Sequence, residues 1–358
     1  MSVFVPFKAY RPQQKYAQNI ASKPYDVLNA KEAKLEALDN PISFYNVIKP
    51  EINFSEDSNY YAPEVYEKGK AVFDDFVSKN ILKQDSNESY YVYELTMGNH
   101  TQTGLVGCCS IDDYFNNTIK KHELTRPDKE EDRKNHVRYS ALNYEAVFLS
   151  YPQVTGIDQL VNITKKEKHL YDFISDDDIR HRLWAITNKE ILRKITALFK
   201  TKVPKIYIAD GHHRSASSVL LAKDYGELQN DSLGINFFMS LFIDEDELNI
   251  LPFNRLLSSI KPFSEYEFIE KVKEQFNEVI AIEGEFIGPT KHHEIGMYIN
   301  NNWFLLKSKI SEEAEKHPTK RLDPQILSDK VFENILGQLE NFKNNSNNNN
   351  RAKENKNS

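Results

Sequence analysis

The chain has only two cysteines in 358 residues, Cys108 and Cys109, and adjacent cysteines are poorly placed to bridge each other. No CxxC pair and no Cys/His spacing suited to zinc occurs, so disulfide scaffolds and structural zinc drop out. Glycine is scarce, at 12 residues, and neither a Walker loop nor a kinase-type glycine-rich loop is present. No run approaches the roughly 18 apolar residues of a membrane span. Met1 to Pro12 lack the charged-then-apolar pattern of a secretion signal, so a soluble, cytoplasmic protein is expected. An excess of positive charge is missing too. The 46 Lys plus Arg against 53 Asp plus Glu leave a formal charge of −7, which disfavours nucleic acid as a partner.

What is present suffices for a real core: 40% of the residues are apolar, which excludes global disorder. The length fits about two domains or one enlarged one. No internal repeat and no linker marks a boundary, so a single domain over residues 1–340 is expected. Beyond it, residues 341–358 are rich in asparagine (Asn344, Asn345, Asn347 to Asn350). Such a tract buries too little apolar surface to offset its ordering entropy, and a disordered tail is expected.

Short strands alternate with helices, which reads as a mixed α/β chain. Tyr90 to Thr96 and Thr103 to Cys109 flank Gly98-Asn99-His100 and predict a hairpin, with the cysteines as a buried strand end. Pro127 opens a helix whose first turn holds Asp128, Glu130 and Glu131. A strand is expected over Glu145 to Tyr151, a helix over Asn188 to Lys200, a strand over Lys205 to Ala209 and a helix over Ser215 to Asp224. Later come strands at Asn236 to Ile243, Glu294 to Asn300 and Trp303 to Lys307, and a helix at Asp323 to Leu336. Asn29-Ala30-Lys31-Glu32 reads as a capping box.

Chemistry concentrates in Asp210-Gly211-His212-His213-Arg214-Ser215. An apolar strand that runs through glycine straight into a helix aims main-chain N–H groups and the positive end of the helix dipole beyond the strand end. Two histidines and an arginine add donors, the arginine as a planar fork suited to phosphate oxygens. Asp210 can hold a divalent cation or orient a histidine. The second constellation is Lys120-Lys121-His122-Glu123-Leu124-Thr125, followed by Arg126 and a charged helix face. Surrounding cations favour an ionised Glu123 able to take a proton from a hydroxyl, although a charge run of this kind also describes a solvated loop. The Tyr25-Asp26 turn could line a site. His181 with Trp184 fits a pocket lining or a buried pair, and His292-His293 has no carboxylate or cysteine at ligand spacing.

The Asp210 to Arg214 motif, preceded by His122-Glu123, resembles the ParB/sulfiredoxin-like superfamily, and within it the free-serine kinase branch. Pro6 to Ala9, Ser22 to Val27, Lys49-Pro50-Glu51, Glu130 to Arg133 and His181 to Trp184 resemble a widespread family of unknown function connected to pyrophosphate-dependent serine kinases. The resemblance spans roughly residues 3 to 337. It implies a ParB/sulfiredoxin-like core at about 104–245 with N- and C-terminal α/β extensions. It also implies phosphoryl transfer from pyrophosphate, ADP or ATP to free L-serine with Mg²⁺. On this reading Glu123 and Asp210 are catalytic, Asp210 also meets Mg²⁺, and Gly211, His212, His213, Arg214 and Ser215 bind phosphate. Lys121, His122, Thr125, Tyr25 and Asp26 then bind substrate. Sulfiredoxins carry cysteine where this chain has His212, so sulfinic acid reduction is not expected. The family's usual C-terminal segment, ending near a Lys-Ser-Thr motif, is replaced by the Asn-rich tail. The alternative is a non-catalytic regulator that senses a nucleotide or phosphate with the same loop.

Overall fold

The computed structural model describes residues 2–225, 234–250 and 254–337. The Asn-rich stretch 341–358 lies outside them. By internal contacts the chain divides into two units, Met1–Ile250 and Leu251–Ser358.

The first unit contains strands β1 (Phe4–Val5), β2 (Tyr10–Pro12), β3 (Leu82–Gln84), β4 (Tyr90–Met97), β5 (His100–Ser110), β6 (Ile119–Lys120) and β7 (Val147–Tyr151). It continues with β8 (Tyr171–Ile174), β9 (Arg180–Ile186), β10 (Ile206–Asp210) and β11 (Phe237–Asp244). Nine of them form one mixed sheet in the order β6-β10-β7-β11-β5-β4-β9-β8, with β1 paired to β5, while β2 and β3 pair separately. The architecture is mixed α+β. The expected hairpin is β4 and β5, turned by Gly98 at φ +56°. No helix among the described residues is long and apolar enough to cross a membrane.

Period-two placement puts Tyr90, Val92, Leu105, Leu149, Ile206, Ile208, Phe238 and Phe242 in one core, each such side chain stabilising by about 1.5–3 kcal/mol when fully buried. Phe4 sits at its centre, 4.5–4.6 Å ring to ring from Tyr90, Phe199 and Phe242. Gly107 makes room for it, since a Cβ there would lie 2.4 Å from the Phe4 ring. The helix Lys189–Lys202 contributes Ile195 and Phe199 and is capped by the Asn188 side chain, which accepts from Glu190 N and Ile191 N. The Asn29 capping box forms as expected. Cys109 is buried at the end of β5.

Two details of this sheet position the chemistry. Strand β10 is parallel to β6 and antiparallel to β7. The segments that follow β6 and β10 therefore emerge at the same end of the sheet, where β7 begins. The helix after β10 also starts earlier than periodicity suggests, at His212 rather than Ser215. Apolar spacing registers only from Val219 onward, so its first turn, which carries polar residues inward, is invisible to a hydrophobic pattern.

The second unit is built on a three-stranded sheet, β12 (Glu278–Ile282), β14 (Asn302–Lys307) and β13 (Glu294–Ile299) in that order. The β13–β14 turn uses Asn300 and Asn301 at φ 48° and 59°, the left-handed pair that a tight hairpin requires. Phe268 and Val272 of the helix Glu265–Gln275 pack with Leu306 of the sheet and with Ile326, Val331 and Phe332. The expected C-terminal helix is a regular turn at Asp323–Leu327 that widens into i→i+5 bonding over Ser328–Glu333.

Candidate functional site

Gly211 joins β10 to the helix His212–Asp224 at φ +96° and ψ 32°, a conformation that side chains with a Cβ rarely adopt. A Cβ there would also lie 3.0 Å from Arg214 Nε. The helix starts without a side-chain cap, so its first N–H groups have no intrahelical acceptor. That leaves an anion-favouring terminus at the sheet end.

The side chains of the motif turn largely toward the protein. His212 is 4% exposed. Its Nδ1 lies 3.3 Å from Glu123 Oε2, its Nε2 is buried without a partner, and the His122 ring meets it edge-on at 4.4 Å. Burial, with His122 beside it, pushes the His212 pKa below the usual histidine range. His213 Nε2 accepts the Arg126 N–H at 3.2 Å. Arg214, with a side chain only 13% exposed, donates through Nη1 to the Ala146 carbonyl at 2.6 Å and through Nη2 to Asp210. Ser215 is fully buried, and its hydroxyl donates to the His212 carbonyl at 3.0 Å. Asp210 and Glu123 present themselves to solvent, with side chains 63% and 58% exposed, and His122 is exposed beside them.

Behind the motif lies a second set of charges. Glu145, just before β7, accepts the Tyr25 N–H at 2.8 Å through Oε1, and its Oε2 is 3.8 Å from Arg214 Nη1. Burial pushes its carboxyl up, against the opposing pull of Arg214 and Arg133. The Arg133 guanidinium lies 4.0 Å over the buried Tyr25 ring, and burial pushes the Tyr25 phenol up to about 12. Lys49 Nζ donates to the Tyr25 carbonyl at 3.2 Å and pairs with Glu51 at 3.1 Å. A cavity of about 40 Å³ opens among Arg133, His136, Glu145, Arg214 and Ser217.

Of the residues singled out in the sequence, two groups come together: His122 and Glu123 with His212, and Tyr25 through Glu145 with Arg214 and Asp210. Asp26 is exposed beside Tyr25. Lys121 and Thr125 are held elsewhere. Lys121 donates to the Tyr114 carbonyl at 3.3 Å and lies 4.0 Å over that ring, and the Thr125 hydroxyl donates to Glu130. Glu145 escapes a reading by motif, and Arg133, although it ends the Glu130 to Arg133 segment, has no role that the sequence assigns. A glutamate heading an apolar run and an arginine in a charged helix both describe ordinary positions, and only the fold sets them against Arg214 and Tyr25.

His181 bridges the Tyr93 and Ser175 hydroxyls at 2.7 and 2.9 Å, on the rim of an apolar cavity of about 190 Å³. Trp184 is buried and donates to the Glu167 carbonyl at 3.1 Å. Among the described residues no group of three or more His, Cys, Asp or Glu side chains could hold a metal ion. The exposed carboxylate of Asp210 suits Mg²⁺ only as one ligand beside phosphate oxygens and water, which is how that ion is commonly held.

No curated protein and no solved structure matches the chain. The model of the family described as a protein of unknown function, DUF1015, matches residues 4–325, and the chain belongs to that family.

Proposed function

We propose that this protein is a phosphotransferase that phosphorylates the hydroxyl of free L-serine to give O-phospho-L-serine, with pyrophosphate as donor, or ADP or ATP, in the cytoplasm. The observation that carries the reading is the approach of Glu123 to the first turn of the helix His212–Asp224, at 3.3 Å. A solvent-facing carboxylate beside an uncapped helix N-terminus combines a proton acceptor with a cradle for phosphate.

With the histidine, arginine and serine side chains engaged internally, main-chain N–H groups of the first helical turn hold the donor phosphates. Asp210 would hold Mg²⁺. When bound, the ion offsets charge on the phosphate oxygens, the main requirement of phosphoryl transfer. Glu123 takes the proton as the serine oxygen bonds to phosphorus, and the bond to the leaving phosphate breaks. With pyrophosphate the products are phosphoserine and inorganic phosphate. The lack of any glycine-rich nucleotide loop favours the compact donor.

The test is phosphorus NMR of purified protein with Mg²⁺, offering pyrophosphate, ADP, ATP and CTP against serine, threonine and homoserine. Appearance of phosphoserine with loss of one donor is the expected result. If no donor is consumed with any acceptor while a nucleotide or phosphate binds, the protein is a sensor and the reading fails.

A further inference from the structure

We propose that His212 is a positioning residue for Glu123, its Nδ1–H orienting the carboxylate that accepts the substrate proton, and not a ligand of the donor phosphates. The inference rests on the phosphotransferase reading of the site.

Three observations carry it. A phosphate lying beyond the helix terminus needs a nitrogen facing outward, yet His212 is 4% exposed and its Nε2 is enclosed by protein. The remaining nitrogen, Nδ1, faces Glu123 Oε2 at 3.3 Å, a distance that tightens in many sites once substrate is bound. The ring itself is fixed. It sits on the first residue of the helix, where Cα–Cβ bonds lean back toward the N-terminus, and His122 packs against it at 84° between ring planes.

Glu123 needs such a guide. Its side chain is more than half exposed, and a free glutamate distributes itself over many rotamers. A donor on a rigid neighbour selects the one in which the second oxygen faces the acceptor hydroxyl. This is the arrangement of a base and its orienting partner, with the imidazole here as the orienting group.

Two variants separate the roles. In His212→Ala, kcat should fall on the order of 10- to 100-fold while the KM for pyrophosphate stays near wild type. In His212→Asn, whose amide places an N–H close to the position of Nδ1, most of that loss should be recovered. A raised pyrophosphate KM at unchanged kcat, no change at all, or an asparagine variant no better than alanine overturns the proposal.

Because His212 is buried, its variants could fail to fold, so a second measurement uses the intact residue. Nitrogen-15 spectra should report the Nδ1–H tautomer of His212 in the wild-type protein and a displaced Nδ1 resonance in Glu123→Ala, a change at an exposed position that removes the acceptor. An Nε2–H tautomer in the wild type overturns the pairing, and an unmoved resonance also overturns it. This reading needs no turnover, so it stands or falls separately from the absence of donor consumption that would sink the phosphotransferase reading.

Discussion

Arg214 donates to the main-chain carbonyl of Ala146 at 2.6 Å, from the helix that follows β10 to the residue that precedes β7. The same guanidinium reaches Asp210 with its other terminal nitrogen. One planar fork thus ties the end of one strand to the start of its antiparallel neighbour and holds the aspartate beside the helix terminus.

Arg214→Lys should therefore act first on stability. A lysine keeps the charge but cannot serve two acceptors in fixed directions. Losing hydrogen bonds from a charged, mostly buried donor costs roughly 1–3 kcal/mol, or several degrees in the melting temperature at about 2–4 °C per kcal/mol for a domain of this size. Calorimetry checks it. An unchanged melting temperature together with a raised KM for donor would mean that the fork faces the ligand and not Ala146.

At the opposite end of β7, Asp158 is pushed up to about 6, by burial first and then by Asp244, Glu247 and Asp246. In the unfolded chain an aspartate titrates near 3.9, so between about pH 4 and 6 the folded state holds a proton that the unfolded state has lost. The ionised carboxylate accordingly opposes folding at neutral pH, and this opposition declines as pH falls from about 6 to about 4. With allowance for solvent screening of this partly exposed group, Asp158→Asn should stabilise by about 1 kcal/mol at pH 8 and by nothing near pH 4. Denaturant midpoints at the two pH values measure it, and an equal gain at both would rule out the electrostatic cause.

Regular elements marked by a turn residue, a helix-opening proline or an apolar face were legible in the sequence. The β4–β5 hairpin follows from its turn residues, the helix after Pro127 from its proline and acidic first turn, and the helix capped by Asn188 from spaced apolar side chains. Elements without such a signature were not. The second unit's β12 alternates weakly and is half exposed, whereas the helix Pro63–Ser78 does carry the signature, with Pro63 in its first turn and Val65, Tyr66, Phe73 and Phe76 buried, and is absent from the elements expected above.

The site divides in the same way. The motif marks where the strand ends and the helix begins, because Gly211 must adopt a left-handed conformation. It does not reveal which way the side chains turn. Arg214 reads as a phosphate fork because its partners, the Ala146 carbonyl and Glu145, lie just before a strand that only the sheet order brings alongside. Likewise Lys121 reads as a site cation until Tyr114 is found beneath it.

Glu123→Gln isolates the proton transfer itself. Glutamine keeps the size of the side chain and an oxygen that can accept from His212 Nδ1, 3.3 Å away in the wild type, but it cannot take a proton from the serine hydroxyl. Because the side chain is largely exposed, no buried charge is left behind and the melting temperature should not change. Removing a general base lowers rates by on the order of 10²–10⁴, so kcat should fall by that factor with both KM values near wild type. A different role, carrying the metal, makes a different prediction: raised Mg²⁺ would then restore much of the rate. Steady-state kinetics over a Mg²⁺ series distinguishes the two. Turnover within about threefold of wild type would place the base elsewhere, and Asp210, another solvent-facing carboxylate at this end of the sheet, is the residue to test next.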